Sequence, residues 1–224
     1  MTNIYFVRHA TPDRSNGTDA TFPLTPKGQQ DVAMVTAFLQ DKKIDAVLSS
    51  PFKRSYDTVA DFAKTAGLTV EVIEDFRERK VSDEWIAAEI FMAYAQNQWE
   101  DRSYKLSGGE NLSEVQARNI AALKDVLSRY DGKNLAVGTH GTALGTIIHH
   151  YDSTYSFDEW VEMPMPWVAK LVFEGQKFIS VEKICLFQLA QSAIHSEARK
   201  RSGALPRVAA GFGAEPHLDE VTNV

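Results

Sequence analysis

The segment Asn3–Val7 strings Ile4, Tyr5, Phe6 and Val7 into a strand-forming run, then sets Arg8 and His9 side by side before the chain turns at Pro12. A buried strand cannot carry two charged or titratable groups without partners, so the run must end there. Its carboxyl end then presents a guanidinium and an imidazole at the rim of a sheet. The chain repeats this arrangement twice. Ile44–Leu48, apolar but for Asp45, reads as a short buried strand closed by Ser49, Ser50 and Pro51, with Arg54 in the first turn of the helix that follows. Leu135–Gly138 is another, followed by Thr139, His140, Gly141 and Thr142 and then a small-residue helix to about Tyr151.

Between these junctions the apolar spacing is helical. Thr25 and Pro26 read as an N-cap with proline at the first helical position, opening a helix to about Gln40 that carries Val32, Val35, Phe38 and Leu39. Ser50 and Pro51 read as the same device, opening a helix with Phe52, Tyr56, Val59, Phe62 and Ala63 on one side and Gly67 as its stop. Leu68–Ile73 alternates as a strand, and a charged loop follows to Lys80. Helices are predicted over Ser82 to about Trp99 and from about Asn111 to Tyr130. Val168–Phe173 and Phe178–Ile184 read as two edge strands joined by a Glu174-Gly175 turn. This alternation is the signature of an α/β layered fold around a largely parallel sheet. Beyond Cys185 the character changes: Phe187–Ala198 reads as one short helix, and Arg199–Val224 is rich in Gly, Ala, Pro and charge with no period. The expected division is therefore a domain over 1–185 and an extension over 186–224.

Several classes of function are disfavoured. A formal charge of −6 argues against nucleic acid or an anionic membrane surface as the main partner. No apolar run approaches the ~18–20 residues that span a bilayer. One cysteine, Cys185, allows no intrachain disulfide and suits a reducing compartment. Strand-like sequence begins near Met1 without a basic leader region, so a cytoplasmic protein is expected.

In a parallel sheet, ligands bind outside the carboxyl ends of the strands. Arg8, His9, Arg54 and His140 all sit at such ends and should meet on one face. Two like charges at ~4 Å cost about 4 kcal/mol at an effective dielectric near 20, so an anion is expected between them. Two helix N-termini would point at the same place, and Gly141 lets backbone come close to a ligand. A dianionic phosphate held by arginine is the natural occupant; no G-x-x-x-x-G-K-[ST] loop is present. An imidazole beside a phosphate suggests nucleophilic catalysis by His9 through a phosphohistidine, with the arginines holding the ring neutral. An acid is needed for the leaving alkoxide, and Glu74, Asp75 and Glu78 are all candidates.

The motifs V-R-H-A-T, S-S-P-F-K-R, F-R-E and G-T-H-G-T, in this order over roughly Asn3 to Ile184, resemble those of the histidine phosphatase superfamily, the phosphoglycerate-mutase-like proteins. The resemblance implies a three-layer α/β/α sandwich with a mostly parallel sheet and no metal or other cofactor. It implies that Arg8 and His9 are the signature pair with His9 the phosphate acceptor, that Arg54 and His140 complete the phosphate pocket, and that Glu78 is the proton donor. Gly141 matches the glycine after the second histidine, and a cap segment is expected over about 79–109. Ala10 stands where the family usually has glycine, and the loop from Thr11 lacks the common Glu-Ser pair. Asn16 lies near, but not at, the position where mutases place a phosphate-binding asparagine.

Three activities fit these residues: hydrolysis of a phosphomonoester, which a short cap favours; a cofactor-dependent phosphoglycerate mutase; and a weakly active phospho-ligand binder. The expected partner is a small phosphorylated substrate, with no nucleic acid, no membrane, and room for a homo-oligomer. Simpler roles suit the remaining residues. Adjacent His149 and His150 point about 100° apart on a helix, which is awkward for a shared ion. His195 and His217 fall in the extension and should be inert. Trp85, Phe91, Tyr94 and Trp99 read as core or pocket wall, Lys53 and Arg14 as solvated charges with the reach to meet a substrate's second anionic group, and Ser49 and Ser50 as a helix cap with no G-x-S-x-G around them.

Overall fold

The computed structural model describes residues 1–84 and 86–192. The chain divides into two units, Met1–Gln188 and Leu189–Val224, and all that follows concerns the first. Six strands, β1 (Thr2–Arg8), β2 (Ala46–Ser49), β3 (Val70–Val72), β4 (Asn134–Thr139), β5 (Trp167–Glu174) and β6 (Lys177–Ile184), form one sheet in the order β3-β2-β4-β1-β5-β6. The first four in that order are parallel; β5 runs antiparallel to β1, and β6 to β5.

Helices cover both faces because the strand residues alternate in what they face. Ile4, Phe6, Leu135 and Val137 pack with Ile120, Leu123 and Leu127 of α4 (Leu112–Arg129) and Leu144 and Ile147 of α5 (Gly141–Tyr151). Tyr5, Val7, Val47 and Ala136 pack on the opposite side with Val35 and Leu39 of α1 (Pro26–Gln40) and Val59 and Phe62 of α2 (Lys53–Thr65). The result is the three-layer α/β/α sandwich that the resemblance implied.

Local expectations hold where a residue's own chemistry sets the element. Thr25 caps α1, its hydroxyl accepting from Gly28 N–H at 3.0 Å, with Pro26 in the first turn. Gly67 follows α2 at φ +68°, a conformation that costs glycine little.

Elsewhere tertiary contacts win. Helix α2 begins at Lys53 with Phe52 as its N-cap, not at Pro51. Ser50 N–H instead pairs with the Gly138 carbonyl at 2.9 Å, which prolongs the sheet ladder by one residue. The helix expected from Ser82 starts only at Ala88 (α3, Ala88–Glu100). Asp83 N–H is drawn to the Ser107 carbonyl (3.3 Å) and Glu110 N–H to the Lys80 carbonyl (2.8 Å), so these backbone groups join two loops. Strand β5 is no edge: it lies between β1 and β6 and its interior face is buried. A short helix, α6 (Phe157–Glu162), opens at a capping box of Ser156 and Glu159. The first unit closes on helical residues 186–188, and residues 193–198 of the expected 187–198 helix lie outside the described residues.

Gly138 shows how tightly β4 sits against α2. A Cβ there would stand 2.8 Å from Ser49 Oγ and 2.9 Å from the Ser55 carbonyl oxygen. Gly138→Ala is therefore expected to destabilise the fold by about 1–3 kcal/mol, read as a lower urea midpoint at unchanged slope.

Candidate active site

Sheet order determines which junctions meet. Strand β4 lies between β2 and β1, with Ser49 level with Gly138 and Arg8 level with Thr139. The residues that follow the three strands, Ser50, His140 and His9, therefore leave the sheet side by side. Strand β1 stays in the ladder one step further, His9 N–H pairing with the Thr139 carbonyl at 3.1 Å.

His9 is 5% exposed, and its Nδ1 donates to the Ala10 carbonyl at 2.7 Å. That bond places the proton of the neutral ring on Nδ1 and leaves a lone pair on Nε2. Arg54, 4% exposed in the first turn of α2, points its Nε–H at that atom from 3.2 Å. The His140 ring stands edge-on to His9 with centroids 5.2 Å apart. Burial first, then the nearby Arg54 guanidinium, push both imidazoles well below the usual histidine value.

Arg8 lies along the start of α5. Its Nη1 donates to the Met163 carbonyl, and its Nε is buried without a partner among the described residues. Burial lowers its pKa to about 10. A Cβ on Gly141 would stand 3.1 Å from the Arg8 Cζ, so the missing side chain leaves room for the guanidinium.

Glu78 closes the site from the other side. Its Oε2 accepts from Thr142 N–H (3.1 Å) and its Oε1 from Ala143 N–H (3.1 Å) and Arg79 N–H (2.7 Å). The carboxylate thus caps α5, whose own N-cap residue, His140, makes no side-chain capping bond. Arg118 of α4 sets this geometry by donating to the carbonyls of Asp75, Arg77 and Glu78 at 2.7, 2.9 and 3.2 Å while Glu110 anchors its guanidinium. Asp75 is turned toward Arg77 (2.9 Å). Of the three candidate acids, only Glu78 is bonded to the N-terminus that carries His140.

Two contacts here had no clear signal in the sequence. Asp19, in the polar loop before α1, pairs with Arg54 Nη2 at 3.1 Å, and its carbonyl accepts from Nη1. Ser50 lies 2.7 Å from His140 Nε2; its neighbour Pro51 had suggested a cap. Ser49 is not a cap either: it ends β2, and its hydroxyl donates to the Ser50 carbonyl at 2.9 Å. Lys53 pairs with Asp57 at 2.8 Å on the surface. His149 donates from Nδ1 to the Tyr155 carbonyl at 2.9 Å, and His150 lies against Tyr151. Tyr94 and Phe91 flank the Arg79 guanidinium, and Trp99 packs on Tyr155. Trp85, His195 and His217 lie outside the described residues.

The two neutral imidazoles make stability depend on pH. The unfolded chain protonates them near pH 6.5, whereas the folded chain resists to well below that. As pH falls under 6.5 the unfolded state binds more protons, so stability declines, by up to about 2.7 kcal/mol per pH unit for the pair. Above about pH 7.5 the contribution is complete. Urea unfolding between about pH 7.5 and 5.5 should show this slope, and His9→Ala should remove about half of it.

In this arrangement a neutral imidazole lone pair faces an arginine donor inside a buried cationic pocket, with a carboxylate at one edge. It can accept a phosphoryl group, neutralise its oxygens and exchange a proton with the departing or entering oxygen. Proteins similar to the chain bear the names of phosphatases and phosphoglycerate mutases. It is 24% identical over 203 residues to a putative phosphoserine phosphatase 2 of Hydrogenobacter thermophilus, covering 83% of this chain and 97% of that protein. It is also 26% identical over 160 residues to a probable phosphoglycerate mutase GpmB of an Enterobacter species, covering 66% of this chain and 74% of that one. Among solved structures, YhfR of Bacillus stearothermophilus superposes with a TM-score of 0.70 at 22% identity, covering 83% of this chain and 99% of the other. A phosphoserine phosphatase of Entamoeba histolytica in complex with phosphoserine superposes at 0.68 and 18% identity, covering 83% and 98%. The family model of the histidine phosphatase superfamily (branch 1) matches residues 4–182, and the chain belongs to that superfamily.

Proposed function

We propose that the protein is a phosphomonoester hydrolase that works through a phosphohistidine on His9. The observation that carries this reading is the pair of contacts to His9: Nδ1 lies 2.7 Å from the Ala10 carbonyl, which can only accept, and Arg54 Nε–H points at Nε2 from 3.2 Å, so the lone pair is on Nε2. Nε2 attacks phosphorus as the ester P–O bond breaks, and the leaving alkoxide takes a proton from Glu78. Water then attacks the phosphohistidine, giving its proton to the Glu78 carboxylate as the N–P bond breaks and orthophosphate leaves. Arg8 and Arg54 stabilise the charge on the equatorial oxygens in both steps.

The segment 79–109 acts as the cap over the organic half of the substrate, a small phosphorylated metabolite. The single cysteine, which suits a reducing compartment, supports a cytoplasmic setting. No helix among the described residues is long and apolar enough to cross a membrane.

The mutase-named relatives supply the competing reading, return of the phosphoryl group to the substrate. One experiment separates the two. The protein is incubated with p-nitrophenyl phosphate, and separately with 3-phosphoglycerate plus 2,3-bisphosphoglycerate, and products are followed by phosphorus NMR. Orthophosphate release is the expected result. Isomerisation without release would replace hydrolysis by mutase chemistry, and inertness toward a broad phosphoester panel would replace both by ligand binding.

A further inference from the structure

Ser50 and His140 are both fully buried, and Ser50 Oγ lies 2.7 Å from His140 Nε2. The same oxygen accepts from Phe52 N–H at 3.2 Å. A serine hydroxyl offers one proton and two lone pairs, and one lone pair is thus taken. Two arrangements remain. If His140 Nε2–H donated to Ser50, the hydroxyl proton would need another acceptor, and among the described residues none is in reach. His140 Nδ1, which is buried without a partner, would then carry a lone pair. In a pocket built for an oxyanion, that lone pair repels the ligand. If Ser50 donates to Nε2, every proton is placed and Nδ1 carries an N–H with no protein acceptor. The ring stands edge-on to His9, 5.2 Å between centroids, so His140 lies beside the imidazole that faces Arg54.

We propose that Ser50 is a positioning residue: its hydroxyl donates to His140 Nε2, fixes the proton on Nδ1, and so makes Nδ1–H the donor to a non-bridging phosphoryl oxygen. The inference rests on the phosphate-pocket reading of the site. A neutral histidine has two tautomers, and the partner of one nitrogen decides what the other can do. Left to itself the ring could present either face; the buried hydroxyl removes the choice.

The test uses the full chain, with nitrogen-15 correlation spectra of the histidine rings and His140→Gln to assign the signal. The wild type should show His140 protonated at Nδ1 and bare at Nε2. Ser50→Ala should populate the other tautomer, weaken inorganic phosphate binding about tenfold and lower kcat on p-nitrophenyl phosphate roughly 10- to 100-fold. Ser50→Thr keeps the hydroxyl and should retain the wild-type tautomer. A wild-type ring protonated at Nε2 would overturn the proposal, and this reading stands even if Ser50→Ala fails to fold. An Ala variant that keeps the tautomer and kcat would overturn it as well. Should the protein bind phosphate but turn over no ester, the spectra and phosphate affinity still decide the role of Ser50, while hydrolysis as the function would fall.

Discussion

His9→Ala is expected to lower kcat on p-nitrophenyl phosphate by about 10⁴-fold or more while leaving the protein folded. The size follows from the chemistry: without Nε2 no covalent intermediate forms, and water must attack phosphorus directly in a pocket whose arginines only bind and neutralise. The fold should survive because the ring's two contacts are replaceable. The Ala10 carbonyl and Arg54 Nε both lie at the carboxyl end of the sheet, outside the main apolar clusters of its two faces. Below pH 6.5 the variant should even gain on the wild type, since one of the two groups that resist protonation is gone. The covalent step has its own readout: rapid quench of the wild type into alkali should trap a base-stable phosphohistidine that the variant lacks. Turnover within tenfold of the wild type would remove His9 from the mechanism, and with it the reading of the whole pocket.

Glu78→Gln should discriminate between substrates. Protonating the leaving oxygen is worth about 10²–10⁴-fold for an alkyl phosphate, whose alkoxide is a poor leaving group, and little for nitrophenolate. The expected result is a loss of that order on alkyl phosphates and of less than about tenfold on p-nitrophenyl phosphate. A second effect comes with it. The carboxylate accepts three backbone N–H groups through both oxygens. The amide of glutamine has one oxygen, so its NH2 must face at least one donor at the start of α5. The cap is then weakened by about 1 kcal/mol, visible as a lower thermal midpoint. Equal kinetic losses on both substrates would mean that Glu78 acts through α5 and His140 alone, and the proton donor would have to be sought elsewhere.

Much of the site was legible because its residues sit where strands must stop. Arg8 and His9 could be placed at a sheet rim from burial costs alone, and so could His140 after the Leu135–Gly138 run. Arg54 followed from its place in the first turn of a helix. That these points converge needed only the expectation of a parallel sheet, and the β2-β4-β1 order met it. The choice among Glu74, Asp75 and Glu78 was not open to the same reasoning, because within one charged loop composition says nothing about direction. Arg118, some forty residues away, makes the choice by binding the carbonyls of Asp75, Arg77 and Glu78 and so turning Glu78 toward α5.

Apolar period, proline, glycine and capping residues act over a few neighbours, and they were enough to specify the layers, most helices and the strand-end cations. What lay beyond them came from contacts between distant segments. Ser50 looks like a cap until His140 is beside it, β5 looks like an edge until β6 pairs with it, and the run from Ser82 looks helical until the 107–110 loop takes its backbone groups. In each case the local preference is worth about 1 kcal/mol or less, and a hydrogen bond or a strand pairing made in a buried place outweighs it.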